Sequence, residues 1–513
     1  MSPGDPLVLA PLLVQVRASN AFSGPVTMGW SDRGWNKPFN DNVAPLPHFP
    51  PRLVDGILIE RSLPLSPGRE SRSALTIGEI TLANEDGAFD SLLRSLAVDG
   101  RALEIRIGTI GGTYDALKIL HIGTASSMRS NGDGEIKLFI SDALGDVDRP
   151  IQKNLYLGTG GLEGGDDLKD KSKPLIYGRV RNAPAVLVDP TKKIYQIHDG
   201  AIYRVQAVYD GGAPLTFQED VSDIMNAPDP AWGYYITNLE GGYIRLGQSF
   251  SNVTVDVTGD YAYGSTSLNL GRTAWRVLHE RLNIVDAKLD ANAFAILRAG
   301  FNDITSGIFI GTEPIKGTDF LNALFVGAGC WWGTDLKGRI TVGRIEAPSD
   351  KAVTRIDARH IVDIEELPLP AEIDPAIWRV RVGYEKNWSV QTTDIPEGNS
   401  DELKAFLQQE YRYATASNDQ IPIIYKNAQE LTINSPFFTK AGAQAEADRL
   451  LALWGKKRYL YRITLGIMGI FLKLGQTINV TDHRFGLDVG RNALIIGQQI
   501  NTDEPEVIID VLI

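Results

Sequence analysis

The chain has 513 residues, 43% apolar and 22% charged, with 51 Lys plus Arg against 63 Asp plus Glu, so its net charge is 51 − 63 = −12. That length admits about three or four domains with sizeable cores, and the acidic balance argues against a nucleic-acid surface as the main business. A single cysteine, Cys330, excludes an internal disulfide framework and a thiolate metal cluster and is compatible with assembly in a reducing cytoplasm.

The first apolar run has no basic residues ahead of it and is broken by Pro11, so it is not expected to act as an export signal. No apolar run approaches the ~20 residues of a membrane helix. Residues 7–17 read as a strand. Residues 24–51, crowded with Gly, Pro, Asn and aromatics and free of any period, read as a long loop, a type that tends to be functional or to fold against a neighbour. Trp30, Trp35, Phe39 and Phe49 make it the candidate contact with another subunit, with packing over its own barrel as the alternative.

The stretch 75–96 reads as strand, turn and short helix. Leu75, Ile77, Glu79 and Thr81 alternate with Thr76, Gly78, Ile80 and Leu82, Asn84-Glu-Asp-Gly87 breaks the strand, and Phe89, Leu92, Leu93 and Leu96 fall at helical spacing. The spacing predicts a helix over 88–98, and Asp86 is expected to supply turn and capping chemistry. Strands are expected at 57–63, 75–83, 102–108, 117–124 and 135–141, a quick succession that fits a small antiparallel β-barrel with a helix across one end. The first domain is therefore placed at 1–157.

Residues 158–174, rich in Gly and charge, read as a linker or surface loop. A second β-rich domain follows at 175–290, an α+β module at 291–350, and a further barrel with inserted helices at 351–513. Within the last, a strand at 378–384 is expected to continue through 385–390, helices are expected at 402–415 and 441–454, and four strands close the chain.

No constellation of chemistry-bearing residues survives inspection, so no catalytic, cofactor or metal set is expected. Residues 328–332, Ala-Gly-Cys-Trp-Trp, look like the surroundings of a papain-type nucleophile, but Cys330 follows a helix instead of opening one, and no dipole lowers its pKa. His279-Glu280 begins like a zinc-protease helix and lacks the second histidine. The acidic pairs Asp166-Asp167, Glu219-Asp220 and Glu365-Glu366 have no spacing in sequence that fixes a glycosidase geometry.

Several motifs carry a likeness. Gly78-Glu-Ile-Thr-Leu-Ala-Asn-Glu-Asp-Gly-Ala-Phe-Asp90, Lys173-Pro-Leu-Ile-Tyr-Gly178, Trp332-Gly-Thr-Asp-Leu-Lys-Gly-Arg-Ile-Thr-Val-Gly-Arg344, Trp378-Arg-Val-Arg-Val-Gly-Tyr384 and Arg484-Phe-Gly-Leu487 together resemble the tail-tip or baseplate hub proteins of long-tailed bacteriophages, over most of the chain from about residue 55. The resemblance implies a β-rich α+β multidomain fold with two tube-like antiparallel β-barrels, and a virion protein assembled in the host cytoplasm as a homotrimer. It also implies partners: a distal tail protein, a tail tube protein, a tape measure protein and a central tail fibre, with DNA passing through the lumen without specific binding. The alternatives are a hexameric distal tail protein with a single barrel, and a cell-wall-degrading or saccharide-binding tail protein. The latter would grip sugar through Trp232, Tyr234, Tyr235 or Trp275.

Overall fold

The computed structural model describes residues 12–20, 24–108, 111–141, 143–248, 252–262, 264–504 and 506–513. Part of the expected first strand, 7–11, lies outside them. The chain is β-rich with few helices. Its first large sheet has seven strands, in the order Gly24–Ser31, Leu12–Asn20, Arg101–Ile107, Lys118–Ser130, Glu135–Ser141 and Ile80–Ala83, with Leu96–Ala97 pairing the end of Leu12–Asn20. Every pairing in it is antiparallel. Residues 50–54 draw the two edges together. Arg52 and Leu53 donate their N–H to Ser31 O at 2.9 and 3.0 Å, Val54 donates to Thr81 O at 3.0 Å, and Ala83 donates to Arg52 O at 2.8 Å.

Two expectations change in this region. Gly24–Ser31 is a strand, not loop; Pro25 is tolerated because the strand lies at the edge of the hydrogen-bonded order, where a missing N–H costs little. The helix is shorter than 88–98. It covers only Asp90–Ser95, because Leu96 turns to extended backbone and joins the sheet.

The second large sheet has eight strands. Its path runs Arg355–Ile356, Thr477–Val480, Arg491–Asn501, Glu506–Leu512, Leu460–Gly466 and Ile361–Leu367, so the two ends of the path are joined by only four residues of chain, 357–360. Leu58–Ser62 adds to Arg491–Asn501 beyond Thr477–Val480, and Ala74–Ile77 adds to Leu58–Ser62. The strands expected at 57–63 and at the start of 75–83 therefore pair with the C-terminal sheet, and the chain crosses to the first sheet only after Ile77. A buried pair locks this crossover, with the Arg61 guanidinium donating to Gln498 Oε1 and to Leu472 O. One apolar core serves both sheets: Val14, Val16, Ile80 and Leu138 from the first are continuous with Ile59, Ile463, Ile495 and Ile509 from the second. Each such side chain stabilises the packing by about 1.5–3 kcal/mol relative to exposure.

Between the sheets in sequence, two five-stranded sheets pack face to face over Val180, Ile197, Val208, Tyr235, Ile244 and Val255. The Gly-rich stretch 158–174 is folded against this sandwich. Leu168 and Tyr156 are buried, Tyr156 N–H donates to Lys171 O at 2.9 Å, and Lys173 pairs with Glu163 at 2.8 Å.

Helices Leu270–Arg276, Ala291–Gly300 and Gly317–Phe325 pack with the hairpin Cys330–Thr334 and Ile340–Arg344 into a third core, shared with residues 368–459, which form an insertion between two paired strands. In that insertion Lys440–Trp454 is helical as expected. The expected helix 402–415 stops at Leu407, and Arg412–Ser417 is a strand beside Ile377–Tyr384, where its alternating Ala414 and Ala416 face the core. The strand at 378–384 does not continue, because Glu385 takes a φ of 49° and turns the chain. The turn of the hairpin reaches the first sheet, where Ile122 N–H donates to Leu336 O at 2.8 Å.

Candidate functional site

The residues with catalytic potential lie apart. Cys330 is 3% exposed on a strand, its Sγ 3.4 Å from Ala328 O, and burial pushes its thiol up to about 12, which keeps it protonated at neutral pH. Glu446, wholly buried, is clamped nearby between Arg344 and Arg449 and ties the long helix to the hairpin. His279 sits on a π-helical turn with its ring 3.6 Å from Asp286, while Glu280 leans to Arg276 at 3.5 Å. Among the described residues no three His, Cys, Asp or Glu side chains gather at metal-binding distance, and no helix is long and apolar enough to cross a membrane.

Glu365 and Glu366 are successive residues of one strand, so they leave it on opposite sides; Glu365 lies 3.9 Å from Arg462. Glu219 and Asp220 are likewise successive on the exposed strand Thr216–Asp220, and Asp166 and Asp167 lie in the folded Gly-rich stretch. The histidines are scattered. His198 is buried with Nδ1 accepting from Ile176 N–H at 2.9 Å, and burial followed by the nearby Arg281 charge pushes it down to about 3. His121 is buried without a partner and pushed down by burial to about 4.

In the turn after Ile80–Ala83, Asp86 does not cap the helix. It pairs with Arg52 at 2.6 Å, and that hydrogen bond holds its carboxyl down at about 2. The turn chemistry expected of it is present, Asp86 Oδ1 accepting from Ala88 N–H at 3.2 Å, and Asn84 shares the turn, its Oδ1 accepting from Phe89 N–H at 2.8 Å and its Nδ2 donating to Asp90 at 2.9 Å. Phe89 is buried with its ring 5.6 Å from Trp30.

What remains is surface. The outward side of the C-terminal sheet carries Glu60, Asp363, Glu365 and Asp510 against Arg462, which is spent on Asp510 at 2.8 Å. This face is acidic and lined with short polar side chains such as Ser62, Thr76 and Gln499.

Of the expected interface aromatics, Trp30, Trp35 and Phe49 are buried in the chain's own core, and Trp35, Phe49 and Tyr114 form one aromatic cluster. Phe39 stands fully in solvent. The loop that carries it is pinned from beneath by buried Asp41, whose carboxylate accepts from the N–H groups of Val43, Ala44 and Tyr114 at 3.0, 2.9 and 2.6 Å. Sequence reading missed Asp41, since an aspartate in a Pro- and Asn-rich run looks like any turn residue and its partner Tyr114 is far along the chain.

Of the expected sugar-contact aromatics, Trp232 is 80% and Tyr234 41% exposed, whereas Tyr235 is buried. Trp275 is half-buried, edge-on to Phe294 at 5.2 Å.

No protein-family model and no curated protein matches the sequence. Among solved structures, the chain is similar to a tail protein from Neisseria meningitidis MC58, at 11% identity and a TM-score of 0.37 over 98% of this chain and 96% of that one. It is similar at 10% identity and a TM-score of 0.36 to the 43 kDa tail protein of prophage MuSo2 from Shewanella oneidensis, over 98% and 96% of the two chains. A chain from the virion of a native gene transfer agent particle aligns at 15% identity and a TM-score of 0.39, over 72% of this chain and 92% of that one. Likeness at these scores carries no argument about function.

Proposed function

We propose that this chain is a structural protein of a bacteriophage tail and forms the hub at the tail tip or baseplate. The observation that carries the reading is the pair of large sheets in one chain, antiparallel except where Arg355–Ile356 pairs Thr477–Val480 in parallel, fused through a single core. Each sheet has its edges drawn together, the first by residues 50–54 and the second by the 357–360 connection, so each is read as a tube-type barrel. A chain that presents two such units side by side makes a ring of six from three copies. This is how a threefold hub continues a sixfold tail tube, and the resemblance of the sequence to such hubs points the same way.

The work of such a protein is mechanical: to cap the tube, adapt its symmetry, bind the tail tube, distal tail, tape measure and central fibre proteins, and keep a channel open for DNA. The acidic outward side of the C-terminal sheet suits a lumen wall, because carboxylates repel a polyanion and let it slide. Subunit contacts of this permanent kind bury on the order of 2,000 Å² or more. No catalytic step belongs to this reading.

The mass of the purified assembly tests it. Three copies support the hub; six support a distal ring, which needs only one barrel per chain; a monomer at micromolar concentration removes both. Clearing of peptidoglycan in a zymogram by the purified chain would overturn the purely structural role.

A further inference from the structure

The sandwich between the two large sheets carries an exposed aromatic that the tail reading leaves unused. Trp232 is 80% exposed, yet the loop beneath it is built to stay in place. Arg245, 5% exposed, donates from Nε to Lys192 O at 3.1 Å and from Nη1 to Ile224 O and Ala227 O at 3.3 and 2.7 Å, and its Nη2 holds Asp229. A guanidinium buried in this way fixes the loop's carbonyls through charge-assisted hydrogen bonds. On the other side of the tryptophan, Gly233 turns with a φ of 81°, Tyr234 N–H donates to Ala231 O at 3.0 Å, and Thr216 N–H donates to Gly233 O at 2.9 Å. The indole is therefore offered on a rigid support, and little ordering entropy remains to be lost on binding.

The surroundings of the indole define what it can take. Gln218 abuts the loop, its Oε1 accepting from Ala231 N–H and its Nε2 donating to Glu219, each at 3.4 Å, and the Asp229 carboxylate, three residues before Trp232, stays 65% exposed while it pairs with Arg245. Glu219 extends the same exposed strand, and Tyr234 stands 41% exposed next in the chain. Phe217, 51% exposed on the strand that carries Gln218, adds a further aromatic, so the surface offers aromatic faces fringed by an amide and carboxylates. A pyranose ring has the complementary form. Its axial C–H face stacks on an indole, and its equatorial hydroxyls both donate to carboxylates and accept from an amide. The carboxylates also select by charge, since they repel uronate or phosphate groups.

We infer that Trp232, with Gln218 and Asp229, forms a binding site for a neutral hexose or N-acetylhexosamine chain on the sandwich domain. The site is independent of the tail reading, because the copy number of the assembly can come out at three, six or one without altering it.

Isothermal titration and affinity electrophoresis of the full chain with laminarin, dextran and chitotetraose, and with hyaluronan as the anionic arm, test the inference. At least one neutral glycan should bind and hyaluronan should not. Trp232→Ala should weaken that binding about 10-fold or more, with the melting temperature unchanged because the side chain packs against so little. Gln218→Ala should weaken it less, and Trp232→Phe should restore most of what alanine loses. Absence of binding to all three neutral glycans, binding to hyaluronan alone, or equal affinity in Trp232→Ala each overturns it.

Discussion

Phe89 joins the turn after Ile80–Ala83 to the core that both large sheets share, so Phe89→Ala measures how far that core is a single unit. The side chain is 2% exposed, its ring centroid lies 5.6 Å from that of Trp30, and the Arg52 guanidinium stands 5.5 Å from its face. Truncating a buried Phe costs about 3–5 kcal/mol, transfer and cavity together, of which the aromatic pair accounts for ~0.5–1.5 kcal/mol. We expect a loss of about 4 kcal/mol. A chain of several modules does not unfold in one step, so a global melt would blur the effect. Hydrogen exchange resolved by peptide separates it, because each segment reports its own opening free energy. Peptides covering Gly24–Ser31 and Ile80–Ala83 should exchange on the order of 10³-fold faster, at 1.4 kcal/mol per decade. The shared core should carry part of that acceleration into Leu460–Gly466, while Tyr234–Asn238 in the sandwich stays unchanged. Acceleration below tenfold in the first two peptides, or equal acceleration in the sandwich, would refute the reasoning.

Glu446→Ala leaves Arg344 and Arg449 with only the half-exposed Glu346 as a carboxylate partner and should cost about 3–5 kcal/mol; a urea midpoint showing less than ~1 kcal/mol would mean Glu346 or water replaces the lost carboxylate. His121 is neutral in the fold down to about pH 4, while an unfolded histidine takes a proton near 6.5. Across that window the unfolded state binds more protons, so stability falls as pH drops from about 6.5 to about 4. His121→Gln should flatten the dependence of the melting temperature on pH in that range, and coincident slopes for variant and wild type would exclude this titration. Phe39→Ser should leave the melting temperature unaltered and abolish assembly in a mass measurement; a variant that still forms the wild-type assembly would take the exposed loop out of the interface.

Local pattern revealed most strands because alternation is a property of adjacent residues. It revealed the last four strands and the Lys440–Trp454 helix, and it marked the region of the sandwich as β-rich while leaving the strands Thr216–Asp220 and Tyr234–Asn238 unread. Pairing partners are a different matter. Nothing in Leu58–Ser62 distinguishes a strand that joins its neighbours in sequence from one that joins Arg491–Asn501, since both choices bury Ile59 and expose Glu60. Gly24–Ser31 was hidden for another reason: an edge strand can carry Gly and Pro, and these mask its alternation. The aromatic-rich 30–49 region reads as sticky surface in sequence, yet three of its four aromatics serve the chain's own core. Phe39 and Trp232 are carried on loops held by two buried charged anchors, Asp41 and Arg245, whose partners are mostly backbone groups and leave no mark in composition.

The crossing of Leu58–Ser62 to the far end of the chain also sets an order of events during synthesis. Arg61 meets Gln498 across 437 residues of sequence, which at about 5–20 residues per second is on the order of 20–90 s of elongation. Throughout that interval the Leu58–Ser62 and Ala74–Ile77 hairpin has an unpaired edge, and the apolar core beneath both sheets is half made. The path of the second sheet becomes continuous only once Glu506–Leu512 has been made, since that strand lies between Arg491–Asn501 and Leu460–Gly466. The core shared by the two sheets is thus completed late in synthesis, and a copy truncated before Glu506–Leu512 is expected to leave Leu460–Gly466 and Arg491–Asn501 without the strand that joins them.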